Sequence, residues 1–237
     1  FNTVTYTGNG TGQSISSLDF APDMVWHKSR SYIQDHLLQD TVRGIGSLGG
    51  AKILYPNGTY AEATNANSSY FSSFDSNGFT VGNNAYNTTG EDYVTWNFKA
   101  GGAAVSNTDG TITSQVSANV EAGFSIVKFT GNGVSGATIG HSLGDTPKII
   151  IGKSLGAGTN WLVQFPTVIG AGSSLVLNTT IATVAPGSGQ SDRWTTTLPT
   201  SSVFSIGGST ELNDSGVSVI AYCFAEVEGF SSFGSYV

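Results

Sequence analysis

The segment Tyr6-Thr7-Gly8-Asn9-Gly10 returns later in the chain as Phe129-Thr130-Gly131-Asn132-Gly133, and this recurrence decides the predicted fold. Three further blocks recur in the same order and at almost the same spacing. They pair Ala21–Ser29 with Thr146–Ser154, Phe79–Gly82 with Phe204–Gly207, and Gly90–Phe98 with Gly216–Phe224. Self-similarity at a fixed spacing is the signature of repeated structural units. The ordered blocks therefore indicate an internal duplication.

Each block predicts a β-strand or the turn that ends one. Gly and Asn tolerate positive φ, so Thr-Gly-Asn-Gly is typical of a turn after the first strand. Pro22 and Pro147 each precede an apolar run. This places them at the start of a strand, where a missing N–H does no harm. The closing block of the first copy, 93–98, alternates in polarity, as a strand with one buried face does.

We predict an all-β protein of two tandem antiparallel β-sandwich units, jelly-roll-like and related by internal duplication. The first unit covers residues 1–102, a connector covers 103–122, and the second unit covers 123–237. The connector is assigned because its residues are small, polar and unrepeated, and pairing of this segment as an extended arm is the alternative. The alternative is one large sandwich to which each copy contributes a single sheet.

The composition favours a folded β protein over a disordered chain. Only 11% of residues are charged and 38% are hydrophobic, while 32 are Gly. The 9 Tyr, 13 Phe and 4 Trp residues are more aromatics than a disordered chain carries. Aromatic and β-branched residues stand in short runs cut by Gly and Asn, which indicates many strands joined by tight turns.

Charge and hydropathy exclude two classes of partner. The net charge is −7 and no basic stripe is present, so we predict no binding to nucleic acid. No apolar run reaches the roughly 18 residues of a membrane-spanning helix, so we predict no membrane insertion. The single Cys, Cys223, lies in an apolar run and is predicted to be a buried thiol. Without disulfides, stability must come from packing, backbone pairing or oligomerisation.

Three segments together resemble a known repeat family. They are Phe124–Gly133, Pro147–Ile150 and Tyr222–Tyr236. They are similar to a repeat domain of unknown function found in structural, tail- or fibre-type proteins of tailed phages, especially marine and cyanobacterial phages. The first copy departs from the closing motif, with Trp96–Gly102 in place of the Cys-containing version. The resemblance spans nearly the whole chain and implies a virion or extracellular location, but it carries over no catalytic or ligand residues.

The sequence holds no pattern typical of catalysis. His141 lies in a glycine-bounded turn, where we expect a hydrogen-bonded structural residue. There is no Gly-x-Ser-x-Gly elbow, no His-Glu-x-x-His and no Cys pair for zinc. Glu226 and Glu228 have the residue types of a glycosidase pair, but the first copy has Ala100 and Gly102 there, and edge charges that discourage aggregation explain them better. We predict that the protein is not an enzyme, with no catalytic residue, no metal site and no cofactor.

Aromatic side chains in loops are the predicted ligand contacts. Their faces stack on sugar rings, and Tyr loses little entropy on binding. We choose Tyr55, Tyr60 and Trp194, although oligomer contacts would use the same chemistry. Tyr32 is a further loop candidate, and the wider set of aromatic candidates also contains Tyr70 and Tyr86. The remaining tryptophans lie in predicted strands and are assigned to the core: Trp26, Trp96 and Trp161.

The sequence predicts a structural or adhesive module of a phage virion appendage, namely a tail fibre, spike or head decoration, that contacts host-surface glycans. The expected partners are further copies in a homo-oligomer such as a trimer, other virion proteins, and host-surface polysaccharide, because isolated small sandwiches leave edges that assemblies cover. The alternative is a carbohydrate-binding module of a secreted bacterial protein or adhesin.

Overall fold

The computed structural model describes residues 1–64, 68–84, 86–186 and 192–235. With 40% of residues in strands and 4% in helices, the all-β prediction is confirmed. The sheets are antiparallel and open, and the fold is sandwich-like. No helix in the described ranges is both long and apolar enough to cross a membrane.

The chain divides into two compact units, Phe1–Gly102 and Ala103–Val237. The first unit contains strands β1 (Asn2–Thr7), β2 (Gln13–Ile15), β3 (Met24–Ser29), β4 (Leu37–Asp40), β5 (Phe71–Asp75), β6 (Gly78–Val81) and β7 (Asp92–Phe98). They form a four-stranded sheet in the order β1-β7-β3-β4 and a three-stranded sheet in the order β2-β6-β5.

The core of the first unit lies between its two sheets. Val25 of β3 packs with Ile15 of β2 and with Phe79 and Val81 of β6. Each of these strands turns alternate residues inward, so one face supplies the apolar side chains. Burial of one such side chain stabilises the folded state by about 1.5–3 kcal/mol. A second buried cluster of this unit contains Leu37 of β4 and Tyr93 of β7, together with Ile53 and Tyr86.

In the second unit, the described residues form nine strands and two short helices. The strands are β8 (Val105–Asn107), β9 (Ser114–Asn119), β10 (Phe124–Thr130), β11 (Ala137–Gly140), β12 (Ile149–Ser154), β13 (Leu162–Gln164), β14 (Leu175–Val176), β15 (Val203–Ile206) and β16 (Ser218–Phe224), and the helices are α1 (Pro166–Ile169) and α2 (Thr210–Asn213). The sheets run β14-β13-β12-β16-β10-β9-β8 and β11-β15. Val127, Phe129, Phe204 and Ile206 are among the residues that form the core between them.

Residues 103–122, predicted as a connector, instead supply two strands to the seven-stranded sheet. β9 pairs along β10, and β8 pairs with β9. Ile112 and Val116 are 8% and 1% exposed and belong to the core of the second unit. The sequence did not reveal these two core residues, because the three residues between them are all polar: Thr113, Ser114 and Gln115.

The main sheets of the two units share a strand order. The order β1-β7-β3-β4 in the first unit has the same form as β10-β16-β12-β13 in the second. The register also corresponds: Trp26 lies opposite Trp96, and Ile151 lies opposite Tyr222. These four positions are ones that the sequence blocks pair with each other.

The two Thr-Gly-Asn-Gly turns are held in the same way. Their last residues, Gly10 and Gly133, have φ values of 75° and 73°, a region that favours glycine. A buried Asn lies beside each turn: the side chains of Asn87 and Asn213 each accept the N–H of the turn's own Asn at 2.9 Å. Each of these amides also donates to a backbone carbonyl, at 2.7 and 2.8 Å.

Candidate functional site

A groove with a volume of about 450 Å³ lies on the first unit, where the β3–β4 loop meets the segments after β4 and before β7. We call it the tyrosine groove, and its lining residues are Ile33, Gln34, Asp35, Leu37, Tyr55, Asn57, Tyr70 and Tyr86. Its volume is in the range of sites that hold small molecules, and it combines aromatic rings with a few polar groups, as such sites do.

The β3–β4 loop is held in place by Asn57. The Asn57 side chain donates from Nδ2 to Asp35 Oδ1 at 2.7 Å and accepts the backbone N–H of His36 at 2.8 Å. On the other side of the loop, Lys28 Nζ donates to the carbonyl of Gln34 at 2.7 Å. Two different segments therefore fix residues 34–36, which form one wall of the tyrosine groove.

Tyr86 forms the buried end of the groove. Its hydroxyl donates to the carbonyl of Asp35 at 2.7 Å, and its own carbonyl accepts the hydroxyl of Tyr6 at 2.7 Å. Burial raises the pKa of Tyr86, and the nearby Asp35 carboxylate adds to the effect. The hydroxyl therefore stays neutral, and Tyr86 is locked between β1 and the loop.

Tyr55 and Tyr70 supply the half-buried aromatic surface of the groove. The ring of Tyr60, 59% exposed, meets the ring of Tyr55 edge to face, with centroids 5.4 Å apart. Burial raises the pKa of Tyr55, and the proximity of Tyr70 and Asp35 raises it further. The phenol groups and the Asp35 carboxylate thus converge on one small volume, where the raised pKa values of Tyr55 and Tyr86 keep these two hydroxyls neutral.

Gln34 leaves a polar atom of the groove unsatisfied. Its Oε1 is buried and accepts no hydrogen bond from the described residues. A buried acceptor without a donor is rare in native proteins and costs free energy. A ligand hydroxyl is the kind of hydrogen-bond donor that this oxygen lacks.

The groove has the chemistry of a site for polyhydroxylated ligands. Ring faces of Tyr55 and Tyr70 suit the C–H surfaces of sugars, and the amide and hydroxyl groups suit their hydroxyls. Among the described residues that line the groove, Asp35 alone carries a formal charge. The negative charge of Asp35 makes the electrostatic potential in the groove unfavourable to anions.

The three predicted ligand residues do not converge. Tyr55 lines the tyrosine groove and Tyr60 lies against it. Trp194 instead lies in the core of the second unit, 2% exposed. It forms a bridge with Ile206 and meets the ring of Phe204 edge to face at 6.5 Å. This pairing turns its side chain inward, so the ring has no face available to a ligand.

The polar residues of the groove could not be found from the sequence pattern. Gln34, Asp35 and Asn57 stand in two polar segments with no motif, and only the folded loop brings them together. Tyr70 and Tyr86 were predicted only as members of the wider set of aromatic candidates. Their common position in the groove depends on the fold, because Tyr86 bonds to Asp35, which is 51 residues away in the sequence.

Groups with catalytic residue types are individually engaged in the structure. Glu226 accepts the backbone N–H of Phe233 at 2.9 Å, and Glu211 pairs with Arg193 at 2.5 Å. His141 is a hydrogen-bonded turn residue, as predicted, since its Nδ1 accepts the N–H of Leu143 at 3.2 Å. Cys223 is buried, as predicted, and burial raises the pKa of its thiol to about 12. In the described ranges, no three His, Cys, Asp or Glu residues are grouped to hold a metal ion.

Comparison with known proteins gives a family and no function. Residues 1–237 match the family model described as Domain of unknown function (DUF7483). No curated protein and no solved structure matches the chain. Because the family model covers the chain from end to end, the protein belongs to the DUF7483 family, a domain of unknown function.

Proposed function

We propose that the protein is a non-enzymatic structural and adhesive module of a phage virion appendage, a tail fibre, spike or head decoration, whose tyrosine groove contacts host-surface glycans. The observation that carries the adhesive role is the groove itself, where Tyr55, Tyr70 and Tyr86 converge with Asp35 and Asn57. The resemblance of the repeat motifs to structural proteins of tailed phages supports the virion location.

We infer further that the two units are copies of one jelly-roll-like sandwich. The shared strand order, the corresponding register and the two asparagine-held turns support this duplication. The separate buried clusters of the two units favour two sandwiches over a single one. A tandem of sandwiches suits an appendage, because each module extends the assembly while presenting its own loops. We expect the copies to act within a homo-oligomer, with a trimer as the first arrangement to test.

The groove predicts a sugar preference. We expect neutral or amino-sugar oligosaccharides to bind, and uronic-acid oligosaccharides of the same length to bind more weakly, because Asp35 repels carboxylates. Tyr55→Ala should weaken binding by roughly five- to tenfold, the size of one aromatic contact. Isothermal titration calorimetry with matched neutral and acidic oligosaccharides measures both effects.

Two variants control that titration. Phe230→Ala removes an aromatic ring that is 55% exposed on the second unit, and it should leave binding unchanged. Asp35→Asn keeps an oxygen that can accept from Asn57 and removes the charge, so it should reduce the preference for neutral over acidic sugars. If Tyr55→Ala leaves oligosaccharide binding unchanged, the tyrosine groove is not the glycan-binding site.

The virion location has its own test. Mass spectrometry of purified phage particles should detect the protein at a copy number consistent with an appendage oligomer. If the protein is absent from particles but still binds glycans through the tyrosine groove, it is instead a carbohydrate-binding module of a secreted bacterial protein or adhesin. The two experiments therefore separate the location from the binding activity.

A further inference from the structure

The outer edge of β1 is unpaired. β1 ends its sheet, and no strand of the described residues pairs with its second side. The N–H of Gly8 donates to the carbonyl of Glu91 at 2.8 Å in line with the β1–β7 ladder. In an antiparallel strand, the backbone N–H and C=O groups of successive residues point alternately to the two sides of the strand. Because Gly8 bonds to Glu91, the backbone groups of the even-numbered residues of β1 point toward β7. The backbone N–H and C=O groups of Thr3 and Thr5 therefore point outward.

The corresponding edge of the second unit is covered. β10 pairs with β16 as β1 pairs with β7, and β9 lies along its other side. Counting back from the Thr-Gly-Asn-Gly turns, Thr3 and Thr5 correspond to Ile126 and Lys128. These two residues of β10 present their outward groups to β9. The same edge of one sandwich type is thus filled in one unit and open in the other.

A core position shows the same difference. Val127 of β10 lies opposite Val116 of β9 and is fully buried. The corresponding residue of β1, Val4, is only half-buried although it packs against the core of its own unit. A strand placed beside β1 in the register of β9 would bring an apolar side chain opposite Val4. The opening beside β1 is therefore a gap in a core as well as in a hydrogen-bond ladder.

Nothing in β1 protects this edge from strand addition. Natural edge strands are kept short, bulged, charged or covered. β14 has two residues and β8 has three, while β5 has a register break between Phe71 and Ser73. β1 has six residues, no charge and no proline. Only its end is capped, where Gln13 Nε2 donates to the carbonyl of Thr7 at 3.0 Å.

We propose that the outer edge of β1 is a docking edge for one antiparallel strand with the chemistry of β9, supplied by a neighbouring repeat unit. The strand is uncharged and polar, with an apolar residue at the place of Val116. Backbone hydrogen bonds to Thr3 and Thr5 provide affinity, and the apolar residue opposite Val4 sets the register. This surface is separate from the tyrosine groove, so the inference holds whether or not the groove binds glycans.

A synthetic peptide with the sequence of residues 112–121 tests the docking edge. We expect it to slow hydrogen exchange of the Thr3 and Thr5 amides, followed by NMR in the full chain, by at least about tenfold, since each gains a backbone hydrogen bond. The matched peptide carries Ser117→Pro, which removes the N–H that faces the partner strand at the place of Ile126. This peptide should give no slowing at the same concentration.

Variants of the chain give the second arm of the test. Thr5→Pro removes an outward N–H that the β1–β7 ladder does not use, so it should abolish peptide binding, whereas Thr5→Val should retain it. If Thr5→Pro prevents folding, the comparison of the two peptides still decides. Unchanged exchange at saturating peptide overturns the proposal. So does sedimentation that shows the chain pairing with a second copy through β1, because the occupant is then β1 itself.

Discussion

His27 is a buried titratable residue with no polar partner. It is 1% exposed, and neither ring nitrogen has a hydrogen bond to a described residue. The rings around it are those of Phe79, Phe71, Tyr86 and Tyr6, at centroid distances of 5.1 to 6.4 Å. Burial in this aromatic cluster lowers the pKa of His27 to about 3. The imidazole is therefore neutral in the folded protein at any pH near neutrality.

This residue predicts a pH dependence of stability. The unfolded chain protonates His27 near pH 6.5, whereas the folded chain does so only near pH 3. The stability is complete above pH 6.5 and falls as the pH drops toward 3, by up to about 1.4 kcal/mol per pH unit for one residue. His27→Leu should reduce this slope between pH 6.5 and 5, above the range where most carboxylates titrate. Urea denaturation at pH 7.5, 6.5, 5.5 and 5.0 measures it.

Two further residues set the background of that experiment. Burial also lowers the pKa of His36 and of His141, so the wild-type slope includes contributions of the same sign. The decisive quantity is therefore the difference between His27→Leu and wild type. At pH 7.5 the variant should be at least as stable as wild type, because it removes two buried nitrogens without partners. An equal slope in both proteins would show that His27 is hydrated in solution.

The matching position of the second unit holds a smaller residue. Gly152 stands where the first unit has His27. A Cβ on Gly152 would come within 2.8 Å of the side chain of Leu212 and 3.4 Å of the ring of Trp194. Trp194 pairs with Ile206 as Phe71 pairs with Val81 in the first unit. The second unit thus has glycine beside the large ring of Trp194 where the first unit has His27 beside Phe71.

At the scale of elements, the sequence predicted what depends on local patterns. The turns at Gly10 and Gly133 and the strands that follow Pro22 and Pro147 stand where the repeated blocks indicated. Glycine permits positive φ and proline fixes φ, so the local effect of each residue can be predicted from the sequence without the fold. The all-β class follows from many such short elements.

Elements whose burial depends on distant partners were missed. The polar neighbours of Trp194 in the sequence predict a loop residue. In the structure Trp194 pairs with Ile206, and its side chain lies in the core. Val116 reads as part of a polar connector, but its strand lies against β10. The tyrosine groove was missed for the same reason, because Asp35 and Asn57 are distant in sequence and come into contact only in the folded protein. A single buried apolar residue per strand leaves no periodicity to detect.

At the scale of the whole molecule, the start of the second unit decides how the chain can be divided. The sequence placed this start at residue 123, and the compact unit begins at Ala103. Between them lie Ile112 and Val116 of the core and the strand that covers β10. A fragment that starts at residue 123 therefore loses two core side chains and gains an open edge.

Two fragments test this division. Fragment 103–237 should unfold cooperatively. Fragment 123–237 should be less stable by about 3–6 kcal/mol, the burial of two aliphatic side chains. Because small domains are stable by only about 5–15 kcal/mol, the shorter fragment should be close to unfolding and should aggregate through the edge of β10. Urea denaturation followed by circular dichroism compares them. Equal midpoints would mean that residues 103–122 act as the connector that the sequence predicted, and that the β9–β10 pairing adds little to the fold.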